Sequence, residues 1–370
     1  MTHFLRRLLP RVGSALRAGP GYARCVALAA LLASCSTTPP PVEVGSLADP
    51  PPRYSIVVII HGDADYAYHD TLGKVHRSDQ EILSRARTVG ERNAEAEVFI
   101  FHQIKRRHLL FLIPRRDGRA YVYRNGRLVA RQSYWRDQGA SPFDPEVRLY
   151  HQLAGTAASP PVRQFFYFGH ELPEIDGTGY DASYRKRPVT IDDLAEAVKS
   201  IAGNGTKIDL LGLATCFGGT PHTIRALAPH ARYIVASPDN LHLSSFDLTP
   251  LESLELESDD GAVAAFADRF ARNAFERLAS EVQTVVSVVV YDTEDTWAFL
   301  DAVTGEYDRT LASTLGRSRS SSHRCDCADD SAYVLPGMSQ GLTVLYRAPR
   351  FGRLKGKVGH SGWECRRILE

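Results

Sequence analysis

The sequence predicts an α/β fold: a mostly parallel sheet flanked by helices on both faces. Three observations carry it. Short apolar, β-branched runs alternate with amphipathic stretches of helical period along most of the chain. Several runs lack the in–out alternation of a half-exposed sheet, as Tyr54–Ile60 shows, which marks strands buried on both sides. The runs also end on small or polar residues followed by a helix, as crossover connections require.

In order, Tyr54–Ile60 is a central strand ending in His61-Gly-Asp-Ala-Asp65, and a helix covers Ser78–Ala96. Glu97–Phe101 and Leu109–Pro114 are strands. Asn125-Gly126 between Ala120–Arg124 and Arg127–Arg131 signals a hairpin, because both residues tolerate positive φ. Gln132–Pro160 is polar and reads as irregular. Gln164–Gly169 is a strand, Glu171–Pro188 a long loop, and Thr190 caps a helix to about Ala202 with Asp192 and Asp193 in its first turn. Arg232–Ala236 is a strand ending at Ser237-Pro-Asp-Asn240. Val263, Phe266, Phe270, Ala274 and Leu278 recur at helical spacing within Asp260–Ser280. Thr284–Tyr291 is a strand, Thr293–Leu311 a helix, Arg317–Arg324 an exposed loop, and Leu342–Tyr346 the last strand before a basic tail.

Three parts are expected: a signal peptide over residues 1–34, a tether over 35–53, and one α/β domain over 54–370. Arg6, Arg7, Arg11, Arg17 and Arg24 lead into the apolar run Cys25–Leu32 and the box Leu32-Ala-Ser-Cys35. This resembles a bacterial lipoprotein signal, which implies acylation of Cys35 and a lipid bilayer as partner. Ser36 after the cysteine implies sorting to the outer membrane of the cell envelope. The run is too short to span a bilayer. Pro39-Pro-Pro41 and Pro50-Pro-Pro52 make the following stretch an extended spacer. Removing residues 1–34 takes the formal charge from +1 to −4, so no basic excess points to nucleic acid.

Four cysteines remain in an oxidising compartment: Cys216, Cys325, Cys327 and Cys365. A disulfide of Cys365 with Cys325 or Cys327 is expected, leaving Cys216 as a thiol. A zinc site from His323, Cys325, Cys327 and Cys365 is the weaker reading, since Cys-x-Cys is not a common zinc spacing. His61, Asp63, Asp65, His69 and Asp70 have ligand-type side chains but fit no metal motif, and they read as a polar loop.

The chemistry centres on Ile208-Asp-Leu-Leu-Gly-Leu-Ala-Thr-Cys-Phe-Gly-Gly219. A buried strand here stops at a sharp turn carrying Cys216, followed by the helix-prone Thr220–Ala228. A thiol at a helix head is favoured as thiolate by the unpaired N–H groups. About 46 residues upstream, Gly169-His170 closes another strand. Ligands in such sheets gather beyond the carboxyl ends of the strands, so Cys216 and His170 are predicted to meet as nucleophile and base. Backbone N–H groups of Cys216 and Glu171 are the expected oxyanion donors.

Phe166-Tyr-Phe-Gly-His170, Gly179-Tyr-Asp-Ala-Ser183, the helix Ile191–Ile201, Leu210–Gly218 and Ile234-Val-Ala-Ser-Pro-Asp-Asn240 together resemble the clostripain-like cysteine peptidases of the caspase-like clan. The resemblance covers about 80 residues. It implies a caspase-like fold, peptide or protein substrates, His170 as base, Cys216 as nucleophile, and a substrate pocket around Ala214, Thr215, Ser237 and Asp239. It makes calcium the first metal to consider, although no metal ligand or cofactor is assigned from the residues. Two positions depart from the family pattern. Glycine precedes His170 and Glu171 follows it, and Ala214-Thr-Cys216 lacks the aspartate that binds a basic substrate side chain, which puts basic specificity in doubt.

Two other readings are kept. Val57-Val-Ile-Ile-His61-Gly62 and Ala214-Thr-Cys-Phe-Gly218 also resemble the oxyanion strand and nucleophile elbow of α/β-hydrolases, with His360 as base. The other is a catalytically degenerate lipoprotein that uses the fold only for binding.

Overall fold

The computed structural model describes residues 50–368 apart from 70–72, 107, 110–112, 155–159, 173–180, 182, 185–186, 188, 204, 242–245, 255–258, 304, 306–321, 330 and 332. The signal peptide, Cys35, the tether as far as residue 49, Asp70, most of the loop after Glu171, and residues 317–321 therefore lie outside the described residues.

The chain runs β1 (Tyr54–Ile60), β2 (Ala67–His69), β3 (Val75–Arg77), α1 (Ser78–Arg92), β4 (Ala96–Gln103), β5 (His108–Leu109), β6 (Ile113–Pro114), β7 (Gly118–Arg124) and β8 (Arg127–Tyr134). It continues α2 (Asp144–Ala154), β9 (Val162–Phe168), α3 (Ile191–Ala202), β10 (Ile208–Ala214), α4 (Pro221–Leu227), β11 (Ala231–Ala236) and α5 (Asp260–Glu281). The last elements are β12 (Val286–Asp292), β13 (Ser322–Asp326), β14 (Leu342–Arg347) and β15 (Glu364–Ile368), with residues 297–303 helical between β12 and β13. Among the described residues no helix is long and apolar enough to cross a membrane.

A nine-stranded sheet has the order β14-β12-β11-β10-β9-β1-β4-β7-β8. The five central strands, β11 to β4, run parallel, and an antiparallel pair extends the sheet at each edge. This is the predicted α/β architecture. Because successive side chains face opposite ways, the strands feed two cores. Val57, Ile59, Phe165, Tyr167, Leu211 and Leu213 pack with α2, α3 and α4 on one face. Ile56, Val58, Ile60, Phe166, Phe168 and Leu210 pack with α1 and α5 on the other.

Local chemistry sets the element ends. Thr190 caps α3 with a capping box: its hydroxyl accepts from Asp193 N at 3.2 Å, and the Asp193 carboxylate accepts from Thr190 N at 2.9 Å. Asn125 and Gly126 take φ of 50° and 73°, the left-handed pair that the β7–β8 hairpin needs. The predicted helix to Ala96 stops at Arg92 instead. The Asn93 side-chain oxygen accepts from the N–H groups of Glu95 and Ala96, which turns the chain into β4. The stretch 132–160, expected to be irregular, contains α2, whose Leu149, Tyr150 and Leu153 are buried.

The end of the expected loop 317–324 is also different, for Ser322–Asp326 pairs with β15. That pairing sets Cys325 opposite Cys365, yet the disulfide joins Cys327 to Cys365, with Cα atoms 4.9 Å apart. Two of the four residues of the zinc alternative are thereby consumed. The Cys325 thiol donates to the Cys365 carbonyl at 3.4 Å.

Candidate active site

The carboxyl ends of β1, β9, β10 and β11 share one edge of the sheet, and they carry His61, Gly169-His170, Thr215-Cys216 and Ser237 respectively. A glycine precedes His170 for a steric reason: a Cβ at Gly169 would lie 2.7 Å from the Tyr167 hydroxyl. Gly169 N donates to the Ala214 carbonyl at 3.3 Å, so the histidine turn is fastened to the end of the cysteine strand.

The cysteine turn is held at several points. Phe217 N donates to the Asp239 carbonyl, Gly219 N to the Ser237 carbonyl, and Glu364 N to the Gly219 carbonyl, each at 3.0 Å. Phe217 takes φ of 53°, a left-handed conformation that an aromatic residue adopts only when its surroundings impose it. A Cβ at Gly219 would lie 2.4 Å from the Tyr291 hydroxyl and 2.9 Å from Pro238 N, so the turn packs directly on the β11 end.

Cys216 does not sit at the head of a helix. Thr220 caps α4, and Pro221 begins it five residues after the cysteine. The expected lowering of the thiol pKa by helix N–H groups is therefore replaced by its opposite. Burial pushes the Cys216 thiol above its ordinary value, and the N–H of Leu241, 3.4 Å from Sγ, offsets this only in part. The thiol in turn donates to the Leu241 carbonyl at 3.4 Å.

His170 and Cys216 line one cavity of about 400 Å³. Tyr66, whose ring lies 6.1 Å from that of His170, closes one side with Asn240 and Leu241. The opposite wall comes from the end of α5 and the start of β12: Leu278, Val282 and the run Thr284–Ser287. Residue type gave no hint of this wall, since its side chains are ordinary core residues of an amphipathic helix and a strand.

None of the four residues expected around the substrate is among those that line this cavity. Ala214, Thr215 and Ser237 are buried in the sheet edge. The Asp239 carboxylate accepts from the Ser287 hydroxyl at 2.7 Å and lies 3.9 Å from His360 Nε2. His360, the base of the hydrolase alternative, packs on Tyr346 and accepts from Gly362 N at 3.0 Å. It stands between Asp239 and Asp326 and does not line the cavity. Glu171, the other expected oxyanion donor, follows His170 at the mouth of the loop and is half-buried.

His61, one of the imidazoles expected at this edge, is engaged elsewhere. Its Nδ1 pairs with Asp63 at 2.8 Å, and its Nε2 lies 3.8 Å from Asp181. Arg136 forms an ion pair with Asp181, and its backbone N–H donates to Asp117 at 3.1 Å. Burial pushes the Asp181 carboxyl up, but the charges of Arg136 and His61 outweigh it and hold it below the ordinary value. Asp65 pairs with Arg77. Among the described residues no group of three or more His, Cys, Asp or Glu side chains is placed to hold a metal ion.

Residues 168–333, which include both His170 and Cys216, match the model of the clostripain family, peptidase C11. The fold is similar to that of an inactive zymogen C11 protease from Parabacteroides distasonis, with a TM-score of 0.51 and 12% identity over 86% of this chain and 92% of that one. At that identity the likeness shows the fold alone: the mixed, mostly parallel sheet of the C11 caspase-like proteases. A secreted C11 cysteine protease from Bacteroides thetaiotaomicron, solved with an irreversible peptide inhibitor, aligns at a TM-score of 0.45 and 13% identity over 70% of this chain and 71% of that one. No curated protein matches the sequence.

Proposed function

We propose that the protein is a cysteine endopeptidase of the clostripain type in which Cys216 is the nucleophile and His170 the general base and acid. The single observation that carries this is the common cavity, into which both side chains open.

The raised thiol pKa shapes the mechanism. Because Sγ is protonated at rest, the proton leaves during attack rather than before it. His170 takes the Sγ proton as the Sγ–C bond forms, and the carbonyl oxygen becomes an oxyanion held by the N–H groups of Cys216 and Glu171. His170 then gives that proton to the amine as the C–N bond breaks. Water attacks the thioester with His170 as base, releasing the carboxylate and restoring the thiol. A Cys–His pair needs no third carboxylate, since a thiol ionises far more readily than a serine hydroxyl. The hydrolase alternative gains no support, because His360 stands between two carboxylates outside the cavity.

The test is peptide hydrolysis by wild type, Cys216→Ala, His170→Ala and His360→Ala. Loss in the first two with retention in the third is expected. Retention in His170→Ala would end the dyad, and no hydrolysis by the wild type would leave a binding role without catalysis.

We also propose that acylated Cys35 and the proline-rich tether hold the domain on the outer membrane. Cells fed a labelled fatty acid would then label the wild type and not Cys35→Ser. Equal labelling of the two would overturn the anchor.

A further inference from the structure

We infer that the substrate residue contributing the scissile carbonyl is bulky and apolar, a specificity that rests on the peptidase reading above. The cavity beside Sγ decides it. Leu278, Val282, Val285 and Val286 form one wall, with Leu241 and Tyr66 across from them. Among the described residues no aspartate, glutamate, lysine or arginine lines it. A lysine or arginine side chain entering here would leave water without meeting a counter-charge, and an unpaired buried charge is strongly disfavoured.

Two carboxylates adjoin residues of the wall without lining the cavity themselves. Asp239 lies behind Ser287, whose hydroxyl donates to its carboxylate at 2.7 Å, and does not itself line the cavity. Glu281, at the end of α5, is exposed and paired with Arg277 at 3.1 Å. Neither supplies the charge that a basic side chain needs inside the cavity.

The wall is also preformed. Arg347, from the edge strand β14, donates to the carbonyls of Val282 at 2.8 Å and Thr284 at 3.0 Å. Arg350 N donates to the Gln283 carbonyl at 2.9 Å. These three bonds fix the turn from α5 into β12, so the apolar surface requires no ordering when substrate arrives. A volume of about 400 Å³ leaves room for a large aliphatic or aromatic side chain.

The experiment uses the full chain and peptides of the form acyl-Ala-Ala-X-aminomethylcoumarin, with X as Leu, Phe, Ala, Lys or Arg. Wild-type kcat/KM is expected to be at least about tenfold higher for Leu or Phe than for Lys or Arg, as one apolar pocket against an unpaired charge allows. Val285→Asp places a carboxylate in the wall at a half-buried position and is expected to shrink that ratio at least about tenfold. Val285→Trp fills the cavity without charge and is expected to shift preference from Phe towards Ala, which keeps the size argument testable if the aspartate disturbs folding. In parallel, binding of the same peptides to Cys216→Ala is measured by fluorescence polarisation. Apolar preference in that variant without wild-type cleavage would support the pocket and sink the peptidase reading. Cleavage after Lys or Arg would sink the pocket and leave the peptidase standing. Equal treatment of all five peptides, or neither binding nor cleavage, would overturn the inference.

Discussion

Two constellations of reactive-type side chains stand side by side at the same sheet edge, and they have opposite fates. At the ends of β9 and β10, His170 and Cys216 face an open apolar cavity. At the end of β1, His61, Asp63, Asp181 and Arg136 face one another, each between 1% and 6% exposed. The first group borders a space that a ligand can occupy: a thiol that exchanges hydrogen bonds with the Leu241 backbone groups, and an imidazole lining the same cavity. The second is closed off from solvent around internal ion pairs, with His61 Nδ1, Asp63 Oδ1 and Arg136 Nε and Nη1 left without a hydrogen-bond partner among the described residues. Residue type alone makes both look catalytic, whereas chemistry on a substrate needs groups that a substrate can reach.

The strongest way to break that contrast is kinetic. Cys216→Ala is expected to lower kcat by about 10³-fold or more, and His170→Ala by about 10²- to 10⁴-fold, with melting temperatures near wild type. Comparable activity in either variant, measured on the best apolar peptide, would remove the distinction.

The closed cluster should respond in the other currency. Arg136→Met leaves Asp181 buried beside His61 without its main partner, and about 3–5 kcal/mol of stability is expected to be lost. Denaturant unfolding measures it. The rate per folded molecule should stay within about twofold. A stable Arg136→Met protein with lost activity would make this cluster part of the catalytic machinery.

How much of this was legible follows the same division. The parallel strands, the capping box at Thr190, the hairpin at Asn125-Gly126 and the strand-end placement of Cys216 and His170 are local signals, each written within a few adjacent residues. The cavity wall is not local. It forms because α5 ends where β12 begins and because Arg347, over 60 residues later, fastens that turn. The thiol pKa was misread for a related reason. A helix does follow Cys216, but its position depends on where Thr220 caps it, and burial of Sγ depends on Leu241 from the next strand end. The helix α2 was missed because polar stretches flank it on both sides, although Pro145, Glu146, Leu149, Tyr150 and Leu153 are buried.

His360 offers a smaller test on the closed side of the comparison. Burial lowers its pKa, and the carboxylates of Asp239 and Asp326 only partly counter that, with Lys357 adding to the lowering. A histidine whose folded pKa lies below its unfolded value near 6.5 contributes stability at higher pH and loses it as pH falls through the folded value. Unfolding free energy should therefore decline more steeply below about pH 6.5 in wild type than in His360→Asn. Parallel curves would mean that His360 is not held neutral by its surroundings.

The finest discriminator is the pH dependence of Cys216 alkylation, because it reads the open group without substrate. An ion-paired thiolate would react fast and independently of pH through neutrality, as papain-like pairs do. Here burial raises the thiol pKa and no charge in the described surroundings lowers it, so the rate constant with iodoacetamide should climb with pH and reach its midpoint above the ordinary thiol value near 8.5. His170→Ala should barely move that midpoint, even though it removes turnover. The combination separates a base that acts only during attack from one that forms a resting ion pair. A midpoint below neutrality, shifted upward by His170→Ala, would show that the pair exists before substrate arrives and that the proton transfer assigned to the attack step belongs to the free enzyme.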